Sequence, residues 1–528
     1  MATYSRPGVY ITEGPFSTVT QTGTEVTPAA FLGTAARGPV LPTRIDSWSQ
    51  YKALYGDLTN SSDLGYAVYH FFSNGGRTAY VTRVTHSTTT GGAAALKAKS
   101  GSITGTIASG SNTTLFRVQA KNVGTWANYA AATSTTTEVG LKVIITAGLR
   151  NGIAESIQGG TGTPLTFNLA VLFNGSEVER WTEVSLDPDS PQYILTIVNS
   201  YSSFIDVYEV DAGLTAGVVY AITAATYTLG VTAGTNGTVV DADWNAAVDS
   251  LNYVNGSLLI NLVGQTTSTR VNYALTYAET RGDAFVIIDP DATQTLTAGI
   301  TGVVNNYSKS SYGAVYYPML KMPDPARAGS ATLRDTYPGG AIAGLYARVE
   351  TDRSVGKAPA GYAYDVRGTY GLTVNFTNTE TGLLYDAHVN TMKNIPGGGV
   401  IINGARTLKK TDITKYIPVR RTLNFVKANV EAISETALFE PNGERTWAQL
   451  NSRISRFLSD LWSAGALKGR SSLESFYVIC NSTNNPDYAI QNGELHVEVG
   501  VALQAPAEFI VINISQFAGG SNTTVETV

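Results

Sequence analysis

The chain has 528 residues, too many for one ordinary domain, so about two to four folding units are expected. Charged residues make up only 15%, the net charge is −5 and the pI is near 5.6, which excludes the basic field that duplex DNA binding requires and leaves much surface free for protein partners. Cys480 is the only cysteine, which excludes an internal disulfide framework and a cysteine-based zinc site.

The opening stretch MATYSRPGVYITEG has neither a basic n-region nor an apolar h-region, and no run in the chain approaches the roughly 18 apolar residues of a membrane span. The expectation is a protein that is neither secreted by a signal peptide nor embedded in a membrane. Residues 1–27 alternate briefly at Val9 and Ile11 and then dissolve into the polar run STVTQTGTEVT, an arm that cannot build a core. A strand at AAFLG, amphipathic helices at DSWSQYKALYG and DLGYAVYHFFSNGG, and the strand TAYVTRV follow and make a first core segment over 28–87. From Thr85 the texture turns small, polar and turn-rich. Short alternating strands at LFRVQA, LKVIITAG, FNLAVLFNG and FIDVYEV then predict an inserted all-β domain over 88–240. Around Asp243 the period changes again, and helices at DWNAAVDSLNYV and STRVNYALTYAETRG alternate with strands at SLLINLVG, AFVIID and YGAVYYPML. That alternation predicts an α/β unit with a mixed or parallel sheet over 241–410.

A C-terminal unit follows over 411–516, and its segment 416–468 carries the strongest periodicity. Val419, Leu423, Val426, Val430, Ile433 and Ala437 recur at helical spacing and leave Arg420, Arg421 and Lys427 off the stripe. Phe439-Glu440-Pro441 breaks that helix, and Asn442 is placed as the N-cap of the next. There Trp447, Leu450, Ile454, Phe457, Leu458 and Leu461 share one side, while Arg445, Gln449, Ser452, Arg453 and Arg456 share the other, a cationic face directed away from the core. In ELHVEVGVAL the apolar residues Leu495, Val497, Val499, Val501 and Leu503 alternate with polar ones, and Ile510, Ile512 and Ile514 do the same in a returning strand. A two-stranded ribbon is marginal alone and its edges invite another strand. The arm around Pro7, Val9, Tyr10 and Ile11 and the tail 517–528 are extended segments that could be donated to a neighbouring copy, with backbone hydrogen bonds supplying affinity and alternate side chains supplying register.

The common catalytic motifs G-x-S-x-G, H-E-x-x-H and G-x-x-x-x-G-K-[ST] are all missing, and GTAARG has glycines only at its ends. His70, His86, His388 and His496 sit in unrelated contexts and read as structural or surface residues. Asp187, Asp189 and Asp206 lack an EF-hand spacing because prolines interrupt it, so a turn is the better reading. Trp126 and Trp181 in the insert could stack on sugar, as in an adhesin, or could equally belong to a plain β core. A hydrolase using scattered carboxylates is the remaining and weakest alternative.

In order along the chain, RPGVYITE (6–13), AAFLGTAARGP (29–39), Trp48–Gly56, FFSNGGRTAYVTRV (71–84), GGGVIINGARTL (397–408), YIPVRRTLNFVK, LFEPNGERTWAQLNSRISRFLSDLWSAGALKG and NGELHVEVGVALQAPAEFIVINISQF together resemble the contractile tail sheath proteins of bacteriophages. Only about 87–240 falls outside the resemblance. It implies an α/β (α+β) core built from N-terminal and C-terminal segments, with the insert as an outer decoration and with extended N- and C-terminal arms. It also implies a structural role without enzymatic activity or cofactor: hexameric rings of self-associated subunits, stacked helically around a tail tube protein, that contract to drive the tube through a bacterial envelope. Baseplate and tail terminator proteins would be further partners, with no direct contact to nucleic acid and no membrane insertion. The location implied is the virion tail, assembled in the host bacterial cytoplasm; a phage-like bacteriocin or a cellular injection apparatus fits the same signature. The resemblance assigns tube contact to Arg445, Gln449, Arg453 and Arg456, and strand exchange between subunits to Pro7, Val9, Tyr10, Ile11, Leu495, Val497, Val499, Ile510, Ile512 and Ile514.

Overall fold

Four strands buried on both faces set the architecture: Ala29–Gly33, Leu258–Leu262, Ala284–Ile288 and Gly313–Tyr317. Each is a short run of mostly apolar residues, the pattern of a parallel sheet covered on both sides. In this computed structural model they belong to a nine-stranded sheet whose spatial order is Asp365–Val366, Gly399–Asn403, Val389–Ile395, Gly313–Tyr317, Ala284–Ile288, Leu258–Leu262, Ala29–Gly33, Ala79–Arg83 and Thr43–Ile45. The strands from Val389–Ile395 through Ala79–Arg83 run parallel, and antiparallel strands finish both edges. The structure describes residues 26–86, 93–107, 112–134, 136–148, 166–208, 220–222, 224–327, 332–395, 397, 399–506 and 508.

Alternate residues of these strands feed two cores. Phe31, Leu259, Phe285, Ile287 and Tyr316 pack with helices Asp63–Ser73 and Gly339–Asp352. Leu32, Leu258, Ile260, Val286 and Ile288 pack with helices Asp241–Asp249, Ser268–Arg281 and Thr297–Asn305 on the opposite face. The two helices of the first face approach so closely that a Cβ on Gly340 would lie 2.0 Å from the Ala67 carbonyl oxygen, which only glycine permits.

A second, antiparallel sheet lies within 99–232, with the order Tyr220–Ile222, Ile103–Ile107, Asn112–Ala120, Lys99–Ser100, Thr226–Thr232, Leu141–Ala147, Thr166–Phe173 and Ser176–Ser185, and with Ile205–Tyr208 paired to Asn112–Ala120. Its core is its own, with Leu115, Phe116, Val118, Leu169 and Val171 at the centre. An all-β composition does not hold here. Helix Ile194–Tyr201 crosses the segment because Ile194 and Val198, one turn apart, bury against that core, whereas Tyr201 stays exposed.

The insert is bolted at its root. Leu96 and Thr235 form a bridge across the two chain crossings, Thr238 N donates to Ala93 O at 3.0 Å, and the His86 ring lies 2.9 Å from the Asp243 carboxylate. Arg83 donates to the carbonyls of Ala35, Ala36 and Val123. The Arg37 guanidinium reaches from the core into a cage of Trp126, Phe173 and Phe204, 4.5 Å from the Phe204 ring centre. Burial lowers the Arg37 pKa, and Glu179 opposes that shift. Trp126 is thereby committed to a packing interface and not to an exposed sugar platform.

Candidate interaction surfaces

The C-terminal unit is built on helices Ile417–Glu435 and Glu444–Ser463 with a cluster of Val355, Phe425, Ile454, Phe457, Leu458, Leu461 and Leu503 between its elements. On the second helix the expected stripe is the buried one, joined by Thr446. Arg445, Gln449, Ser452, Arg453 and Arg456 are all exposed on the other side. The strong amphipathic period fixes this orientation, since rotating the helix would put arginines into the cluster. Asn442 is not the cap: Gly443 holds that position with no side-chain bond. The Asn442 amide instead accepts from the Trp447 indole at 2.8 Å and donates to the Glu494 carbonyl at 2.8 Å, which ties the helix start to the chain before the last strand.

On the first helix the expected outward arginines point inward: Arg420 and Arg421 are buried, not off the buried face. The N-terminal half of this helix is enclosed all round, with Asn424 donating to the Ala284 carbonyl of the large sheet at 2.7 Å, while the half beyond Val426 emerges and ends at Glu435, before Ala437. Arg420 stacks 4.4 Å from the Tyr312 ring centre, and Arg421 stacks 4.5 Å from that of Tyr346. Arg421 Nη2 also donates to Glu350 Oε2 at 2.6 Å. The other Glu350 oxygen accepts from Thr27 N at 3.1 Å and Thr27 Oγ1 at 2.8 Å. One buried carboxylate thus joins the start of the described chain, the central helix and the C-terminal unit. At the other end Glu508 pairs with Arg406 at 2.9 Å, beneath Tyr385.

Among the described residues the ribbon has a partner that the sequence reading did not include. Strand Glu498–Val501 pairs antiparallel with Phe476–Ile479, and Leu467 bridges Leu503. Val497 and Val499 are partly buried against the cluster, Leu495 is partly buried ahead of the strand, and Glu498 and His496 face outward, so the alternation is realised. The run FYVI, rich in aromatic and β-branched residues, was the available signal for the missed strand. Among the described residues this sheet has two strands. Pro7, Val9, Tyr10, Ile11, Ile510, Ile512 and Ile514 lie outside the described residues.

Asp187 and Asp206 make local structural contacts. Asp206 pairs with Lys97 and Lys121, and Asp187 accepts from Asp189 N in a turn. Among the described residues, no group of three or more His, Cys, Asp or Glu could hold a metal ion, and no helix is long and apolar enough to cross a membrane. Asp289, buried at the carboxyl end of its strand, accepts from Asn261 Nδ2, Gly264 N and Gly339 N. Burial raises its pKa to about 6, against the lowering effect of those donors. A raised pKa means that the native state holds the proton more tightly than the unfolded chain, so this group's stabilisation is fully present below pH ~4 and is lost as the pH rises through about 6. In urea unfolding, the stability of wild type relative to Asp289→Asn is therefore expected to fall from pH 4 to pH 7.5, by on the order of 2 kcal/mol. A difference independent of pH would remove the assignment.

Residues 237–408 match the family domain described as phage tail sheath protein central domain, and 409–517 match the phage tail sheath C-terminal domain, so the two run without a gap over more than half of the chain. The chain is 27% identical over 176 residues to the tail sheath protein of Vibrio phage KVP40, covering 33% of this chain and 25% of that protein. It is 24% identical over 183 residues to the tail sheath protein of Enterobacteria phage T4, covering 34% and 27%. The chain thus spans about a quarter of the length of these curated relatives. Among solved structures, the contracted sheath complex of an extracellular contractile injection system, PVC, has the same fold, with a TM-score of 0.54, 20% identity and coverage of 98% of this chain and 99% of that one.

Proposed function

We propose that this chain, which belongs to the phage tail sheath family, is the repeating subunit of a contractile sheath that polymerises as stacked hexameric rings around a tail tube and drives that tube through a bacterial envelope. The observation that carries the tube contact is the exposed face of Arg445, Gln449, Arg453 and Arg456 on a helix whose opposite face is fully committed to the core. Such a face meets an acidic partner without any change in the subunit's own packing. Subunits are linked in this reading by strand exchange between the arm at Pro7, Val9, Tyr10 and Ile11 and a neighbour's ribbon, including Leu495, Val497, Val499, Ile510, Ile512 and Ile514. Rigid attachment of the chain near both ends, at Thr27 and Glu508, supports that reading, because an arm transmits force only from a fixed root. The insert is placed on the outside of the sheath, baseplate and terminator proteins close its two ends, and assembly occurs in the host cytoplasm before the virion tail is complete. The fold match to an extracellular injection system along nearly the whole chain favours, as a second reading, the same device made by a cell.

Reversing Arg445, Arg453 and Arg456 to Glu tests the tube contact. The variant is expected to fold as wild type, since surface changes of this kind stay within about 0.5 kcal/mol. Binding to preformed tubes should weaken by about 1–3 kcal/mol for each charged hydrogen bond removed, multiplied over many copies. Extended tails of normal yield and salt resistance from the triple variant would remove the face from the tube.

A further inference from the structure

We infer that the C-terminal ribbon accepts a further strand at one edge only, along Glu498–Val501, and that the occupant is the N-terminal arm of a second copy. The inference rests on the strand-exchange reading and adds to it which edge is used. Strand Glu498–Val501 runs antiparallel to Phe476–Ile479, with Val478 opposite Val499 and Phe476 opposite Val501. Just beyond them Ala502 N donates to Ser475 O at 3.3 Å, so these two residues form a hydrogen-bonded pair. Bonded and non-bonded pairs alternate along an antiparallel ladder. The alternation turns the backbone groups of Tyr477 and Gly500 inward and those of Phe476, Val478, Val499 and Val501 toward the two outer edges.

The two edges are not alike. On the outer edge of Phe476–Ile479, the Phe476 amide donates to Ser472 O in the turn before the strand, and the Val478 carbonyl accepts from Asn451 Nδ2 at 3.0 Å. Ser455 Oγ donates to Asn451 Oδ1 at 3.2 Å, which holds the amide with its nitrogen toward Val478. Asn451 and Ser455 both belong to helix Glu444–Ser463, so the subunit closes this edge itself. On the other edge the backbone groups of Val499 and Val501 make no hydrogen bond among the described residues. Val497 and Val499 are only partly buried against the C-terminal cluster, and a strand with apolar side chains at every second position would complete their cover. Such an edge is a template for strand addition.

The chain ahead of Thr27 carries that period at Val9 and Ile11. From its root on Glu350, an arm reaching Ile11 spans at most about 50 Å at about 3.3 Å per residue. That is about twice the radius of gyration, roughly 24 Å, of a compact chain of this length, so the arm reaches a second copy. The chain's own tail starts elsewhere: Glu508 is held by Arg406, just past strand Gly399–Asn403 of the large sheet.

The test sets the same substitution on each edge of the full chain. Val478 and Val499 lie opposite each other and neither amide serves the subunit's own ladder, so Val478→Pro and Val499→Pro differ in the edge they block. The two variants are expected to melt within about 3 °C of one another. Val499→Pro should raise the concentration needed for polymerisation by about a hundredfold or more, and Val478→Pro should leave it within about threefold. The opposite pattern would overturn the edge assignment and leave strand exchange standing, and loss in both would overturn one-sidedness. If both polymerise as wild type, no strand enters the ribbon and the inference falls; loss of polymerisation on deleting residues 1–18 would then keep strand exchange with the arm docked elsewhere. Amide exchange on wild type serves where a variant does not fold: Val499 and Val501 should gain protection on polymerisation and Val478 should not. No gain at Val499 overturns the edge, and protection already present in the dispersed subunit overturns the second copy. The occupant is read from a mixture of two differently tagged chains, one with Tyr10→Cys and one with Glu498→Cys. A short bismaleimide should join the two tags within sheaths, and intact sheaths without that crosslink would overturn the arm as occupant.

Discussion

Replacing Arg421 by Met is expected to cost the subunit about 3–5 kcal/mol, because it leaves the Glu350 carboxylate buried without its cation. Arg421 and Glu350 are both buried, 2.6 Å apart, and after the substitution only the Thr27 hydroxyl and amide would still face that carboxylate. The melting temperature should fall by about 10 °C, at roughly 2–4 °C per kcal/mol for a unit of this size. The double variant Arg421→Met with Glu350→Met should recover a large part of the deficit, since removing both charges leaves no uncompensated group and fills the site with apolar volume. A single variant that melts within about 2 °C of wild type would show that the pair contributes nothing net. Arg445→Glu on the exposed face is the control and should leave the melting temperature in place.

Deleting residues 1–18 is expected to abolish sheath formation while leaving a soluble, folded subunit. Among the described residues the packed core begins at Thr27, and the sheet and helices described above are all formed by residues beyond the deleted segment. The milder change Val9→Asp with Ile11→Asp should act like the deletion, because each carboxylate buried unpaired in a neighbour's sheet costs several kcal/mol. Shortening the polar run Ser17–Thr27 from its N-terminal side, with Thr27 kept on Glu350, should permit the more closely spaced lattice and forbid the wider one. Negative-stain images of tails then would show contracted forms only. Tails built in normal numbers by the deletion variant would sink the strand-exchange proposal and leave the family assignment untouched.

The legible parts of the chain were those in which one physical signal dominates. AFVII and GAVYY read as strands because a sheet covered on both sides uses such runs, and both faces of helix Glu444–Ser463 were legible, Thr446 apart, because its charges and apolar groups do not mix. The burial of Arg420 and Arg421 was not legible, because apolar periodicity treats an arginine as an outward residue. What encloses them is Tyr312, Tyr346 and Glu350, supplied by segments about 70 to 110 positions away. Asn442 had the composition of a cap, but the Trp447 indole and the Glu494 carbonyl offered its amide two better partners. The pairing of Glu498–Val501 with Phe476–Ile479 was hidden for a similar reason: the alternation in ELHVEVGVAL fixes which face is inward and says nothing of which strand lies beside it.

Strand Ala29–Gly33 has one neighbour close in sequence, Ala79–Arg83, and another, Leu258–Leu262, that the ribosome produces more than two hundred residues later. At about 5–20 residues per second, its second edge stays open on the order of ten to fifty seconds during synthesis. The antiparallel insert emerges in that interval and, with a core of its own, can fold before the sheet that flanks it. Once folded, it brings the two crossings at its root together, with His86 beside Asp243, so the strand still to come is tethered a short distance from its slot. Closure of a loop of more than two hundred residues is replaced by closure of a few dozen, which lowers the entropic barrier and shortens the exposure of an aggregation-prone edge. A short, turn-forming linker in place of the insert would confer the same kinetic advantage, whereas a long unstructured one would not.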